Sequence, residues 1–169
     1  FEAHGRSDLA TGTPMAKDAI FAIASMTKPV TAAAVLMLLD EGKLSLADPI
    51  GKFIPELAQL QTEDGAAHEV TLTHVLSHTS GMGEATELEF AASRCLADLV
   101  PVHASKPLRF APGSKWAYCQ SGVNTAARIV EVVCEKSFPA FLGERLFGPL
   151  GMKDTGFWLR PDQAARVAK

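Results

Sequence analysis

Phe21-Ala-Ile-Ala-Ser25-Met-Thr-Lys28-Pro29, with the run Val30–Leu39 behind it, decides how the rest of the chain is read. Pro29 suits the first turn of a helix, where its missing N–H costs nothing. The run Thr31-Ala-Ala-Ala-Val-Leu-Met-Leu-Leu39 has no polar face beyond Thr31, which predicts a helix buried on nearly all sides. Asp40-Glu41-Gly42 ends it, with Gly42 expected at C′. Ser25 then stands at the amino end of a central helix, and Lys28 lies one turn along the same face. A serine hydroxyl becomes a nucleophile when a neighbouring base takes its proton. Lysine can be that base where burial or nearby positive charge makes its neutral form accessible. The helix N-terminus adds positive partial charge and free N–H groups, both suited to a developing oxyanion. The same residues also read as an N-cap and a first-turn surface cation, and this stretch alone leaves both readings open.

A chain of 169 residues with 47% hydrophobic and 21% charged side chains is globular, with either one good core or part of a larger one. Its net charge of −3, with no local Lys/Arg cluster, gives no electrostatic footprint for nucleic acid. No apolar run approaches the length that crosses a bilayer. Cys95, Cys119 and Cys134 show no C-x-x-C spacing, so neither a disulfide framework nor a zinc knuckle is expected. Unpatterned cysteines lean towards a reducing environment, and cytoplasmic and periplasmic locations both stay open.

Outward from the Ser25 helix, residues 1–20 read as the end of a strand followed by loop chemistry at Thr11-Gly12-Thr13-Pro14. Asp48-Pro49 is expected to act as an N-cap and N1 pair for a short helix ending before Pro55. Residues 56–69 are polar, with a surface turn at Asp64-Gly65. Val70–Gly81 is predicted as a threonine-capped helix bringing His74 and His78 to i, i+4. That spacing invites a metal reading, but no H-E-x-x-H glutamate or third ligand accompanies it, so no metal site is assigned. An amphipathic helix is expected over 84–100, broken by Pro101. A structured loop over Pro107–Gly113 follows, then helices over Gly122–Cys134 and Pro139–Phe147.

Tyr118, the one tyrosine of the chain, follows the Pro112-Gly113 loop. Alone it reads as a packing residue. Beside a Ser/Lys pair, its phenol is a group that can relay a proton between nucleophile, leaving group and lysine. The segments Phe21–Pro29 (F-x-I-A-S-M-T-K-P), Asp40–Ile50 (D-E-G-K-L-S-L-x-D-P-I), Val70–Gly81 (V-T-L-x-H-V-L-S-H-T-S-G), Phe110–Tyr118 (F-x-P-G-x-x-W-x-Y) and Pro149–Thr155 (P-L-G-M-K-D-T) run in one order along most of the chain. In these segments the chain resembles the serine β-lactamase and penicillin-binding-protein superfamily, on the branch of class C β-lactamases, D-amino-acid peptidases and family VIII esterases.

The resemblance implies an α+β, β-lactamase/transpeptidase-like fold. Family members build their α/β half from both chain ends. Residues 1–20 are therefore expected to end a strand of that half, 21–150 to form the helical region with both motifs, and 151–169 to begin the return. Most of the antiparallel sheet is expected to be missing from this chain. By resemblance Ser25 is the acylated nucleophile, Lys28 its base partner, Tyr118 the second base or relay, and Gln120 the substrate-binding amide; no cofactor is implied. Two departures stand out. The family's Y-x-N reads Tyr118-Cys119-Gln120, one methylene longer at its amide, and the K-T-G or H-x-G strand motif has no match in these residues.

Two readings follow. One is a serine hydrolase acting on small carboxylic esters, with β-lactamase or D-amino-acid peptidase activity as the alternative. The other is a catalytically inert chain lacking the third motif. An apolar helix without its sheet is also expected to need cover, for which a second chain or subunit completing the sheet is one candidate.

Overall fold

The computed structural model describes residues 1–169 and is mostly helical. Its strands form two antiparallel pairs: β1 (Arg6–Asp8) with β2 (Thr13–Pro14), and β3 (Leu60–Gln61) with β4 (Ala67–His68). The second pair lies in the stretch read as a polar turn. Asp64 holds it, accepting from the Thr62 hydroxyl at 2.6 Å and the Ala66 N–H at 3.3 Å.

Helix α1 (Thr27–Asp40) follows a 3₁₀ turn over Ala24–Met26. It closes as expected at Gly42, whose φ of +69° is the left-handed geometry open to glycine. The Gly42 N–H donates to Leu39 and the Lys43 N–H to Leu38, the paired bonds of a Schellman ending. The expected burial on nearly all sides is not met. Thr31, Ala34, Val35 and Leu38 are buried, but the opposite face carries an exposed strip in which Leu36 is 45% accessible. An apolar sequence dictates which faces seek burial, and other elements must be present to supply it.

Other elements are shorter than their sequence suggests. Asp48 accepts from the Ser45 N–H at 2.8 Å and pairs with Lys52, while Pro49 stands extended ahead of a single 3₁₀ turn over Ile50–Lys52. So Asp48 closes its own turn instead of capping a helix at Pro49. The helix expected over 84–100 is split into α3 (Glu87–Ala92), a 3₁₀ turn over Leu96–Asp98, and α4 (Leu99–Ala104). Pro101 breaks nothing: it sits in the first turn of α4, where its absent N–H is harmless. The interruption comes earlier, where the Asp98 carboxylate accepts from the N–H groups of Arg94 and Cys95.

The predicted histidine-bearing helix is also cut short. Helix α2 (Leu72–Leu76) is capped by Thr71, with the His74 Nδ1 accepting the Thr71 N–H at 3.1 Å. His78 lies beyond it at φ +61°, so the two histidines do not share a helical face.

Helix α5 (Gln120–Cys134) is the second long helix and packs against α1 and α2. It begins two residues before the predicted Gly122, with the Cys119 thiol as cap, accepting the Gly122 N–H at 3.4 Å. Gly122 faces the Val75 backbone, and its missing Cβ lets α5 approach α2 closely. Short helix α6 (Phe138–Leu142) and a π turn over Gly143–Phe147 follow, and one apolar cluster joins α1, α2, α5 and α6. The last residues run back beside the first: Ile20 exchanges backbone bonds with Arg166 and Ala168, and Arg166 is paired with Asp154 at 2.6 Å. No helix is long and apolar enough to cross a membrane.

Candidate active site

The docking of α5 on α1 brings together all four residues singled out from the sequence. Ser25 sits in the 3₁₀ turn that feeds α1, and Lys28 follows one turn later. Ala24, just before Ser25, has φ +43°, an uncommon conformation for a residue with a side chain. Tyr118 and Gln120 flank the start of α5.

The Tyr118 hydroxyl donates to Ser25 Oγ at 2.7 Å, and Lys28 Nζ donates to the same oxygen at 3.3 Å. Lys28 Nζ also donates to Gln120 Oε1 at 2.5 Å and lies 4.7 Å from the centre of the Tyr118 ring. Gln120 is turned so that its Nε2 donates to Asn124 Oδ1 at 2.9 Å. Its extra methylene thus carries the amide onto Lys28.

The phenol is displaced from ordinary tyrosine behaviour. Interaction with Lys28, and next the hydrogen bond with Ser25, hold its pKa below the usual value, because both favour the phenolate. Once deprotonated, that phenol, held beside Lys28, can accept the Ser25 proton and later return it.

Two residues with no sequence-based assignment to this site join it. Glu84 clamps the first turn of α5: its carboxylate accepts from the Gln120 N–H at 2.7 Å, the Ser121 N–H at 3.0 Å and the Ser121 hydroxyl at 2.8 Å. Burial pushes the Glu84 pKa up, but these bonds together outweigh it and leave the group lowered. The second is His78, set aside as a metal ligand, which stacks on Tyr118 with ring centres 4.7 Å apart. Neither stands at a telling distance from Ser25 in the sequence.

Beside Ser25 and Lys28 opens a groove of about 620 Å³ between α1, α3 and α5, with apolar walls from Phe90, Leu96, Phe138 and Phe157. It is within the size range of small-molecule sites, about 300–1,000 Å³.

Residues 1–169 match the family model described as Beta-lactamase. Esterase EstB of Burkholderia gladioli is 36% identical over 92% of this chain and 43% of its own length. The D-alanyl-D-alanine-carboxypeptidase/endopeptidase AmpH of Escherichia coli K12 is 29% identical over 99% of this chain and 44% of its own. Among solved structures, D-alanine carboxypeptidase AmpC of Burkholderia cenocepacia superposes with a TM-score of 0.78 at 28% identity, covering 98% of this chain and 43% of that one. The chain therefore spans less than half the length of these relatives. Motif order, helical architecture and the match over residues 1–169 agree, and the chain belongs to the Beta-lactamase family.

Proposed function

We propose that the protein carrying this chain is a serine acyl hydrolase that cleaves small-molecule carboxylic esters through an acyl-enzyme on Ser25. The observation that carries the reading is the convergence of Tyr118 and Lys28, at 2.7 and 3.3 Å, on one serine oxygen at the amino end of a 14-residue helix. The Lys28–Tyr118 pair, one proton short, takes the Ser25 proton as Oγ bonds to the ester carbonyl carbon. Positive partial charge at the helix end favours the oxyanion. Collapse of the tetrahedral adduct breaks the bond to the alcohol oxygen, which receives that proton through the Tyr118 hydroxyl. Water then repeats the sequence on the acyl-enzyme: the pair takes its proton, the acid is released, and Ser25 Oγ is reprotonated.

Gln120 favours an ester over a β-lactam, since its amide is committed to Lys28 and Asn124 where a shorter asparagine would be differently placed. The groove beside Ser25 widens the expected acyl group from small to moderately large and apolar.

The test uses the whole protein. A fluorophosphonate probe should add one adduct, located on Ser25 by peptide mapping, and Ser25→Ala should abolish both the adduct and p-nitrophenyl ester turnover. Nitrocefin should be hydrolysed far more slowly than the esters. An unlabelled Ser25, or an active Ser25→Ala variant, would overturn the assignment. Comparable kcat/KM on nitrocefin would reverse the substrate ranking alone.

A further inference from the structure

Tyr118 is 48% exposed, so core packing does little to hold its phenol. Besides its contacts with Ser25 and Lys28, it is held from behind by one residue, His78, three parts of which grip three successive residues. The His78 carbonyl accepts the Ala117 N–H at 2.9 Å. The His78 ring lies on the Tyr118 ring at 4.7 Å and 26°. The His78 Nδ1 accepts the Cys119 N–H at 3.1 Å, which places the ring proton on Nε2. Trp116 closes the fourth contact, edge-on to His78 at 6.0 Å.

This grip has a backbone cause. At φ +61°, His78 occupies the left-handed region that side chains other than Asn, Asp and His seldom enter. The turn that ends α2 leaves both the His78 carbonyl and its ring against 117–119. Its neighbours hold the conformation: the Thr79 N–H donates to the His74 carbonyl at 3.0 Å, and the Thr79 carbonyl accepts from the Gly113 N–H at 2.8 Å. Residues off the common backbone regions persist where surroundings over-determine them, and such sites cluster around function. Cys119 is also the cap of α5, so the residue that His78 anchors directly behind Tyr118 is the one from which α5 begins.

We propose that His78 is a positioning residue for the Tyr118 phenol, setting its height and rotation against Ser25 through the ring stack and the two backbone bonds on either side. The proposal rests on Tyr118 carrying the Ser25 proton. His78 itself exchanges no proton with substrate.

Two variants of the whole protein test it. His78→Asn tolerates the left-handed backbone and offers an acceptor near the Nδ1 position, but lacks the ring face. His78→Gly adopts the backbone freely and lacks both, so it serves if the asparagine variant folds poorly. Misplacing a reacting group by about 1 Å can cost about 10²-fold. The expected result is a kcat loss of about tenfold to 10²-fold on a p-nitrophenyl ester, with KM changed less than about twofold. The decisive arm is a double-mutant cycle. A residue that works only through the phenol should add less than about a twofold loss in the Tyr118→Phe background. If either His78 variant keeps its full kcat, or loses as much again in the Tyr118→Phe background, the positioning role is overturned. If Tyr118→Phe alone turns over normally, the proton-carrying role of Tyr118 fails first and takes this role with it. Ser25→Ala in parallel shows whether the hydrolase reading survives.

Discussion

Lys28 contacts both Ser25 and Tyr118, and on the proposed mechanism that coupling should set the acid side of the pH profile. A phenol held below its ordinary pKa of about 10 loses its proton at lower pH, so the phenolate is populated sooner. We expect kcat/KM for esters to rise with pH and level off below the range of a free tyrosine. Lys28→Ala removes the largest influence on the phenol. It should move the rising limb to higher pH while lowering the plateau by about 10²–10⁴-fold, the usual scale of acid–base contributions. A limb that stays in place would mean that Lys28 does not govern the titrating group. At this scale the sequence was legible where chemistry is local. Ser25 and Lys28 are neighbours by helix geometry alone, three residues apart. Tyr118 stood out as the one tyrosine of the chain, and gained a chemical reading only beside the Ser/Lys pair. Glu84 gave no signal and His78 only that of a metal ligand, because their partners are chosen by how α5 docks and not by spacing.

Among the elements, α3 shows how a short helix is held by its cap. Thr86 and Glu89 cap each other, and Lys106 Nζ donates to both Glu89 oxygens at 2.9 Å, tying α3 to the end of α4. The Thr86 N–H, then Lys106, hold the Glu89 pKa at about 2, well below its ordinary 4.5. A carboxylate lowered by folding stabilises the fold above its unfolded pKa, and that contribution fades as pH falls from 4.5 towards 2. His103, buried between α4 and α5, acts in the same direction from further up the scale. Burial lowers its pKa from 6.5, against Glu84 and Glu89, so acidification charges the unfolded chain first. Glu89→Gln should therefore flatten the loss of stability below pH 4.5 and, with one charge opposing the His103 shift removed, deepen the loss beginning near 6.5, as read by denaturant midpoints across pH. An unaltered slope below pH 4.5 would remove Glu89 from the account. The extent of these elements was poorly legible. Apolar periodicity covers 84–100 as one helix, but it carries no sign that Asp98 will take the two N–H groups that interrupt it. Helices α1 and α5, long and marked by Pro29 or by small buried residues, were visible within a few positions.

At the scale of the whole molecule, the exposed strip of α1 matters most. Leu36 is 45% accessible on a helix whose other face is the core, and Met26, in the turn that leads into it, is 65% accessible. The relatives matched here carry their further length, more than half of each, in the same polypeptide, so a second chain completing the sheet has no support. Such an assembly, with Ser25 and Tyr118 drawn from segments 93 residues apart, holds its site only while α1 and α5 stay docked. Cys119, between Tyr118 and Gln120, lies on a second seam, where the start of α5 meets residues 78–84. It is 1% accessible, its thiol is pushed up by burial, and its Sγ faces the Gly122 N–H and the Met82 carbonyl. It is therefore a clock for the opening of the cleft on the side behind Tyr118. A thiol reagent should modify exposed Cys95 at once and Cys119 only at the rate at which the seam parts, with hydrolysis dying in step with the second event and not the first. Equal labelling rates would mean that the seam breathes freely. A slow second phase would let the lifetime of the closed cleft be read directly from an alkylation curve.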